Sequence, residues 1–194
     1  MDAWKESKPH LTGFGHHALL SNAETIVKAI KSGDLTDIFV IGGCDGTEKS
    51  RSYFSDLAKL TPQTSVILTL GCGKFRLRNL ELGNFAGTHI PRIIDCGQCN
   101  DAYSAVVVAL KLAEALNTDL NSLPLHFAVS WFEQKAVAVL LSLLHLGVKN
   151  IRLGPTLPAF LTPNVQKYLV DNLNLRPASM GHEKEDMELM LARR

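Results

Sequence analysis

The sequence has almost no net charge, and this absence limits its partners. Its 194 residues include 20 lysine and arginine residues against 19 aspartate and glutamate residues, which leaves a formal charge of +1. A surface balanced in this way does not attract nucleic acid or anionic lipid. We therefore expect no nucleic-acid partner and no membrane partner.

Long hydrophobic runs are also missing. The longest apolar stretch, residues 136–146, is interrupted by Ser142 and His145. It falls short of the ~20 apolar residues that span a bilayer. The opening residues, MDAWKESKPH, lack the apolar core of a secretory signal. We expect a cytoplasmic protein in which the apolar stretch is a buried helix.

Cysteine is scarce, with four residues in the whole chain. The cytosol keeps thiols reduced, so these residues are expected to be free thiols or metal ligands and not a disulfide framework. Three of them lie in glycine-rich or polar turns: Cys44 in IGGCDG, Cys72 in LTLGCGKF and Cys99 in DCGQCND. The fourth is Cys96.

Short apolar runs alternate with helical stripes along the chain. The runs predict strands at 37–41, 65–70, 90–95, 125–129 and 150–153, and the stripes predict helices at 23–31, 50–60, 101–116, 134–146 and 164–172. This alternation is typical of an α/β protein. We predict a Rossmann-like parallel sheet of about five to six strands with helices on both faces.

Each candidate ligand follows one of these predicted strands. Cys44, Cys72 and Cys99 follow the first three, and Glu133 follows the fourth. The carboxyl ends of parallel strands form one edge of a sheet, where ligands commonly bind. Three thiolates and a carboxylate at one edge resemble most of the ligand shell of a metal cluster.

Three other interpretations of the cysteines stay open at this point. Cysteine is often buried for packing alone. Cys96 and Cys99 have the C-x-x-C spacing of a redox pair. Zinc also takes thiolates, although structural zinc sites usually draw them from short-spaced pairs. The wide separation of the three glycine-flanked or turn-flanked cysteines favours a large cluster.

Several segments closely resemble the C-terminal domain of hybrid cluster proteins, also called prismane proteins or hydroxylamine reductases. The segments are TGFGHHALLSNAETIVKAIKSGDL, FVIGGCDG, LTLGCGKFR, IPRIIDCGQCNDAYSA and SWFEQKAVAVLLSLLHLGVKNIRLGPTLPAF. The resemblance extends over about residues 12–177. It divides the chain into an N-terminal extension (1–11), a cluster-binding α/β domain (12–178) and a charged C-terminal tail (179–194) with helical character.

The resemblance implies a hybrid iron–sulfur–oxygen cluster. Cys44 matches the cysteine found as a persulfide, Cys72 and Cys99 match the other thiolate ligands, and Glu133 matches a carboxylate ligand. Glu133 and Lys135 match residues placed to manage protons near the bound substrate. The implied reaction is the reduction of hydroxylamine to ammonia and water, and nitric oxide reduction is also associated with the family.

The family pattern is only partly present. Its N-terminal domain, which holds a cubane iron–sulfur cluster, and its middle domain have no counterpart here, so the cubane has no ligands in this chain. The resemblance implies that these domains, or a separate chain supplying them, and a redox partner reductase are needed for activity. The alternative is a metal-free Rossmann-like structural or interaction module.

Other polar residues near the cysteines have milder interpretations. Asp45, Asn100 and Asp101 are expected to cap helices or to orient the cysteine loops through hydrogen bonds. The basic run of Lys74, Arg76 and Arg78 is interpreted as a solvated edge or a domain contact.

Overall fold

A six-stranded parallel sheet forms the centre of the protein. The structure is a computed structural model that describes residues 11–46, 51–85, 87–130, 134–154, 157 and 160–192. The strands are β1 (Asp37–Gly42), β2 (Ser65–Thr69), β3 (Ile93–Asp95), β4 (Leu125–Val129), β5 (Ile151–Leu153) and β6 (Arg176–Pro177). Their order across the sheet is β3-β2-β1-β4-β5-β6, and all neighbours are parallel. This is the order of doubly wound dinucleotide-binding folds, and it confirms the predicted fold class.

Burial on both sides explains the strand sequences. In β2 every residue is buried, and β1 is buried except at its last residue, Gly42. Parallel strands covered on two faces have near-continuous apolar sequences, because neither face reaches water. The third strand begins at Ile93 and not at residue 90, because Pro91 forms an isolated antiparallel bridge with Asn84 before the chain enters the sheet.

Helices cover both faces of the sheet. They are α1 (His16–Leu20), α2 (Ala23–Ser32), α3 (Tyr53–Lys59), α4 (Lys74–Leu77), α5 (Ala102–Leu116), α6 (Gln134–His145), α7 (Pro163–Leu173) and α8 (Glu183–Leu191). One apolar core joins the sheet to α2, α5, α6 and α7. A second core, on the opposite face, joins it to α3, α4 and α8. None of the helices in the described ranges is both long and apolar enough to cross a membrane.

The helix ends follow ordinary capping chemistry. At the start of α7 the Thr162 hydroxyl accepts a hydrogen bond from the Val165 amide, and Pro163 occupies the first turn, where a missing N–H costs nothing. Helix α7 ends at Asn174 in the left-handed conformation. These local signals explain why the predicted and observed bounds of α7 agree closely.

The charged C-terminal segment forms α8, and this helix is anchored in the second core. Met187 and Met190 are buried there. The buried Asp186 carboxylate accepts hydrogen bonds from the Tyr53 hydroxyl at 2.6 Å and the Ser179 amide at 2.9 Å. Its other oxygen lies 3.4 Å from Arg152 Nε. The segment is thus tied to α3 and β5 by a buried charge as well as by apolar contacts.

We expect Asp186→Ala to lower the free energy of unfolding by about 3–5 kcal/mol, because it leaves the buried Arg152 guanidinium without its counter-charge. Glu188→Ala, on the exposed side of the same helix, is the control and is expected to change stability by less than about 0.5 kcal/mol. Chemical denaturation monitored by circular dichroism measures both. Equal effects of the two substitutions would contradict the proposed anchoring role of Asp186.

Candidate metal centre

The three glycine-flanked or turn-flanked cysteines lie on one cavity at the carboxyl edge of the sheet. Cys44, Cys72 and Cys99 follow β1, β2 and β3, and each lines a cavity of about 720 Å³ that extends between the sheet and helices α5 and α6. Much of its wall is apolar, and Lys135 also lines it. The structure therefore brings together three of the predicted ligands and one predicted proton-managing residue.

Cys44 is held by two hydrogen bonds, one from its backbone amide and one to its sulfur. Its backbone amide donates to the Ser130 hydroxyl at 3.1 Å, and the Gly46 amide donates to its sulfur at 3.2 Å. Ser130 follows β4, so this contact joins the two strands at which the strand order reverses. Sequence reasoning did not identify Ser130, which carried no signal beyond its position after a strand.

Cys72 is the most exposed of the three thiols, on a turn that requires glycine on both sides. Gly71 has a φ of +64°, and its amide donates to the Gly97 carbonyl at 2.9 Å. A Cβ on Gly73 would lie 2.2 Å from the Gly43 carbonyl oxygen. The Cys72 loop thus packs directly against the backbone of the Cys44 loop.

Cys99 begins a 3-10 turn ahead of α5, and its thiol lies against the Cys72 loop. A Cβ placed on Gly71 would come within 2.8 Å of the Cys99 sulfur. The turn is closed by Asp101, whose carboxylate accepts from the Gln98 amide at 2.6 Å. This contact confirms the capping role predicted for Asp101.

Asp45 also has the capping role predicted for it. Its carboxylate accepts hydrogen bonds from the Phe54 and Ser55 amides and from the Ser55 hydroxyl, at 2.9, 3.2 and 2.7 Å. Asp45 therefore ties the Cys44 loop to the first turn of α3. Asn100, the third residue of this group, lines the cavity.

Cys96 lies apart from this group in the first core. It is 1% exposed, and its thiol donates a long hydrogen bond to the Ile94 carbonyl at 3.8 Å. Burial, reinforced by the charges of Asp95 and Asp101, raises the pKa of the Cys96 thiol to about 12. A thiol that stays protonated at neutral pH is a poor metal ligand and a poor redox nucleophile.

The carboxylate predicted to complete the ligand set, Glu133, lies outside the described residues. Lys135 is exposed in the first turn of α6 and faces the same cavity as the thiols. In the part of the chain that the structure describes, no three Cys, His, Asp or Glu side chains are grouped so as to hold a single metal ion. The thiols instead line different parts of one cavity wall.

The basic run after Cys72 is not a solvated edge, so that interpretation was wrong for two of its three residues. Lys74 is 6% exposed and pairs with Asp95 at 3.2 Å. Arg76 donates to the carbonyls of Arg51 and Gly46 at 2.7 Å each. Opposite charges at the ends of two strands, Lys74 after β2 and Asp95 in β3, were the sequence signal that could have revealed the pair.

Comparison with known proteins places the chain in a family. The model of the Prismane/CO dehydrogenase family matches residues 3–188. The chain is 56% identical to hydroxylamine reductase from Zymomonas mobilis, over 97% of this chain and 34% of that protein. It is 56% identical to hydroxylamine reductase from Clostridium novyi, over 92% of this chain and 32% of that protein. It thus spans about a third of the length of these relatives.

Solved structures share the fold at lower identity. A Ni-free carbon monoxide dehydrogenase from Thermococcus sp. AM4 aligns with a TM-score of 0.73 and 21% identity, over 94% of this chain and 33% of that one. Carbon monoxide dehydrogenase IV from Carboxydothermus hydrogenoformans aligns with a TM-score of 0.70 and 13% identity, over 93% of this chain and 35% of that one. Both likenesses concern the fold alone.

Two glycines with positive φ allow a test of the contact between the Cys72 and Cys99 loops. Gly83→Ala adds a methyl group in open space at φ +74°, and we expect only the strain of that conformation, about 1 kcal/mol. Gly71→Ala adds the same strain and also displaces the Cys99 sulfur, for a further loss of about 1–3 kcal/mol. Thermal or urea unfolding measures the difference. Equal losses would mean that Cys99 does not pack against Gly71.

The raised pKa of Cys96 predicts an alkaline loss of stability. A thiol with a raised folded-state pKa contributes stability that is fully present below its unfolded value of 9.0 and is lost as the pH rises to about 12. Within that window we expect the free energy of unfolding to fall by about 1.4 kcal/mol per pH unit because of this group. Cys96→Ala is expected to flatten this part of the stability curve, measured by urea unfolding at several pH values. An unchanged slope would contradict the assignment.

Proposed function

Because this chain belongs to the Prismane/CO dehydrogenase family, we propose that it is the cluster-binding domain of a hydroxylamine reductase. The observation that carries the proposal is the arrangement of Cys44, Cys72 and Cys99 on one cavity at the carboxyl ends of three adjacent strands. Relatives named hydroxylamine reductase support the assignment of the activity.

The chemistry of the donor set fits a hybrid iron–sulfur–oxygen cluster. Thiolates suit iron–sulfur clusters, in which different thiolates bind different irons, so the ligands line a wall and do not converge on one point. Gly71 and Gly73 bring the loops together where a Cβ would not fit. We propose Cys44, Cys72, Cys99 and Glu133 as the ligands from this chain.

The reaction that we propose consumes hydroxylamine, two electrons and two protons and yields ammonia and water. When bound, the cluster supplies Lewis-acidic iron and the electrons for cleavage of the N–O bond. Nitric oxide is the second candidate substrate, since it is also a small molecule with a nitrogen–oxygen bond.

The residues of this chain then bind the substrate and control protons. Apolar side chains from β1, β2 and β4, including Val40, Leu68 and Phe127, keep bulk water away from the inner cavity wall. Lys135 presents an ammonium group on the same cavity, where it would hydrogen-bond the oxygen of hydroxylamine and donate a proton to it. Glu133 is proposed as its partner in proton handling.

The relatives are about three times as long as this chain, and their additional length suggests that the reaction needs further domains. We propose that further domains, on the same or a separate polypeptide, supply the rest of the ligands and a cubane cluster for electron entry, and that a reductase delivers the electrons. The reducing cytosol suits such a set of free thiols.

The test is the iron and acid-labile sulfide content of anaerobically purified protein, with its electron paramagnetic resonance spectrum. The chain is co-expressed with the part of the Zymomonas mobilis relative that it does not match. We expect Cys72→Ser to lose most of the iron, because it removes a ligand, and Cys96→Ser to keep it, because Cys96 is buried away from the cavity.

Two results would contradict the proposal. Equal iron in both variants would remove Cys72 from the ligand set. Iron-free, folded wild-type complex would favour the alternative, a metal-free structural or interaction module. The exposed apolar side chains of Tyr103, Leu110 and Leu141 on α5 and α6 give that alternative a physical basis, since such side chains suit a surface that another domain covers.

A further inference from the structure

We propose that two cations of the short helix α4, Lys74 and Arg76, are positioning residues that set the spacing of the three cysteine loops. We call this pair the cysteine brace. Both belong to the four-residue helix that follows Cys72, but their side chains bind different loops. The inference rests on the proposed function, because it concerns the ligands of the proposed cluster.

Lys74 joins the Cys72 loop to the Cys99 loop. Its ammonium group donates to the Asp95 carboxylate at 3.3 Å and to the Gly97 carbonyl at 3.2 Å. The same carboxylate accepts from the Gly97 amide at 2.7 Å. All three groups are buried, so the charges interact with little screening by water. Lys74 and Asp95 together therefore fix the backbone that leads to Cys99.

Arg76 joins the Cys72 loop to the Cys44 loop. One guanidinium nitrogen donates to the Gly46 carbonyl and another to the Arg51 carbonyl, both at 2.7 Å. Gly46 is also the residue whose amide donates to the Cys44 sulfur at 3.2 Å. Arg76 thus holds the residue that in turn orients the Cys44 thiol.

Direct backbone contacts make these junctions sensitive to small shifts. The Gly71 amide bonds the Gly97 carbonyl on one side, and Gly73 lies against the Gly43 carbonyl on the other. The junction of the Cys72 and Cys99 loops therefore has the Gly71 contact and the buried Lys74. The junction of the Cys72 and Cys44 loops has the Gly73 contact and the half-buried Arg76. Because different cations hold the two junctions, loss of one cation should loosen one cysteine and leave the other in place.

The third cation of the run provides a matched control. Arg78 is exposed, and its guanidinium lies 5.0 Å from the centre of the Phe75 ring, a contact within the same loop. Its removal takes away the same charge from nearly the same place. Among the described residues, the Arg78 side chain has no hydrogen bond or ion pair with either of the other two cysteine loops.

The experiment measures the alkylation rate of each cysteine by iodoacetamide in the metal-free 194-residue chain, by peptide mass spectrometry. We expect Lys74→Met to raise the alkylation rate of Cys99 about tenfold and to leave that of Cys44 unchanged. We expect Arg76→Met to raise the alkylation rate of Cys44 about tenfold and to leave that of Cys99 unchanged. Tenfold is the change that corresponds to the loss of one charge-assisted hydrogen bond. Arg78→Met is expected to change neither rate.

Buried Cys96 reports unfolding in the same experiment, since it reacts only when the core opens. If a methionine variant makes Cys96 reactive, the measurement is repeated with Asp95→Asn for the Cys99 junction and with Arg76→Lys for the Cys44 junction. Asp95→Asn keeps the shape of the side chain and removes its charge, and Arg76→Lys keeps the charge but loses the forked guanidinium that binds two carbonyls. We expect the same selectivity from them, at smaller size.

Equal acceleration of Cys44 and Cys99 in each folded variant, or no change in either, would overturn the brace. The proposed function fails by a different measurement, the iron content of the wild-type complex. Selective alkylation with an iron-free complex supports the brace and contradicts the cluster. Iron binding with unselective alkylation supports the cluster and contradicts the brace.

Discussion

Close backbone approach at the carboxyl edge of the sheet is the constraint on which the candidate site depends. Gly73 touches the carbonyl oxygen of Gly43, and Gly71 lies against the Cys99 sulfur. Side chains at these glycines would separate loops that must lie together for three thiols to share one cavity. Beside these loops the buried ammonium group of Lys74 is neutralised by the Asp95 carboxylate.

The strand order determines which loops can approach one another at this edge. Order 3-2-1-4-5-6 places β1, β2 and β3 side by side, so their loops are neighbours in space although far apart in sequence. It also places β4 beside β1, which brings the Ser130 hydroxyl to the Cys44 amide. The site is therefore a consequence of sheet topology refined by a few polar contacts.

Sequence reasoning found those features that have local signals. The DIFVI run indicated β1, and a helical stripe at 164–172 indicated α7. The placement of Cys44, Cys72 and Cys99 at one edge of the sheet followed from parallel strands alone. In contrast, β6 has two residues and α4 has four, too few for any periodicity to appear.

The polar contacts were less predictable because their partners are remote in the sequence. Lys74 looked like part of a surface run until the fold placed Asp95, 21 positions away, beside its ammonium group. Arg76 binds carbonyl groups, which every residue carries and no sequence pattern distinguishes. The glycine pattern and the predicted parallel strands placed the three cysteines at one edge of the sheet, while tertiary contacts determine how their loops are held.

The separation of the two cores has a consequence for how such a domain can change over evolutionary time. The anchor of α8 at Asp186 belongs to the core opposite the cavity, and the cavity wall belongs to the other. The sheet separates the two cores. Substitutions that reshape the cavity for a new small molecule can therefore accumulate while the opposite layer continues to hold the sheet together, which makes the architecture suited to functional divergence.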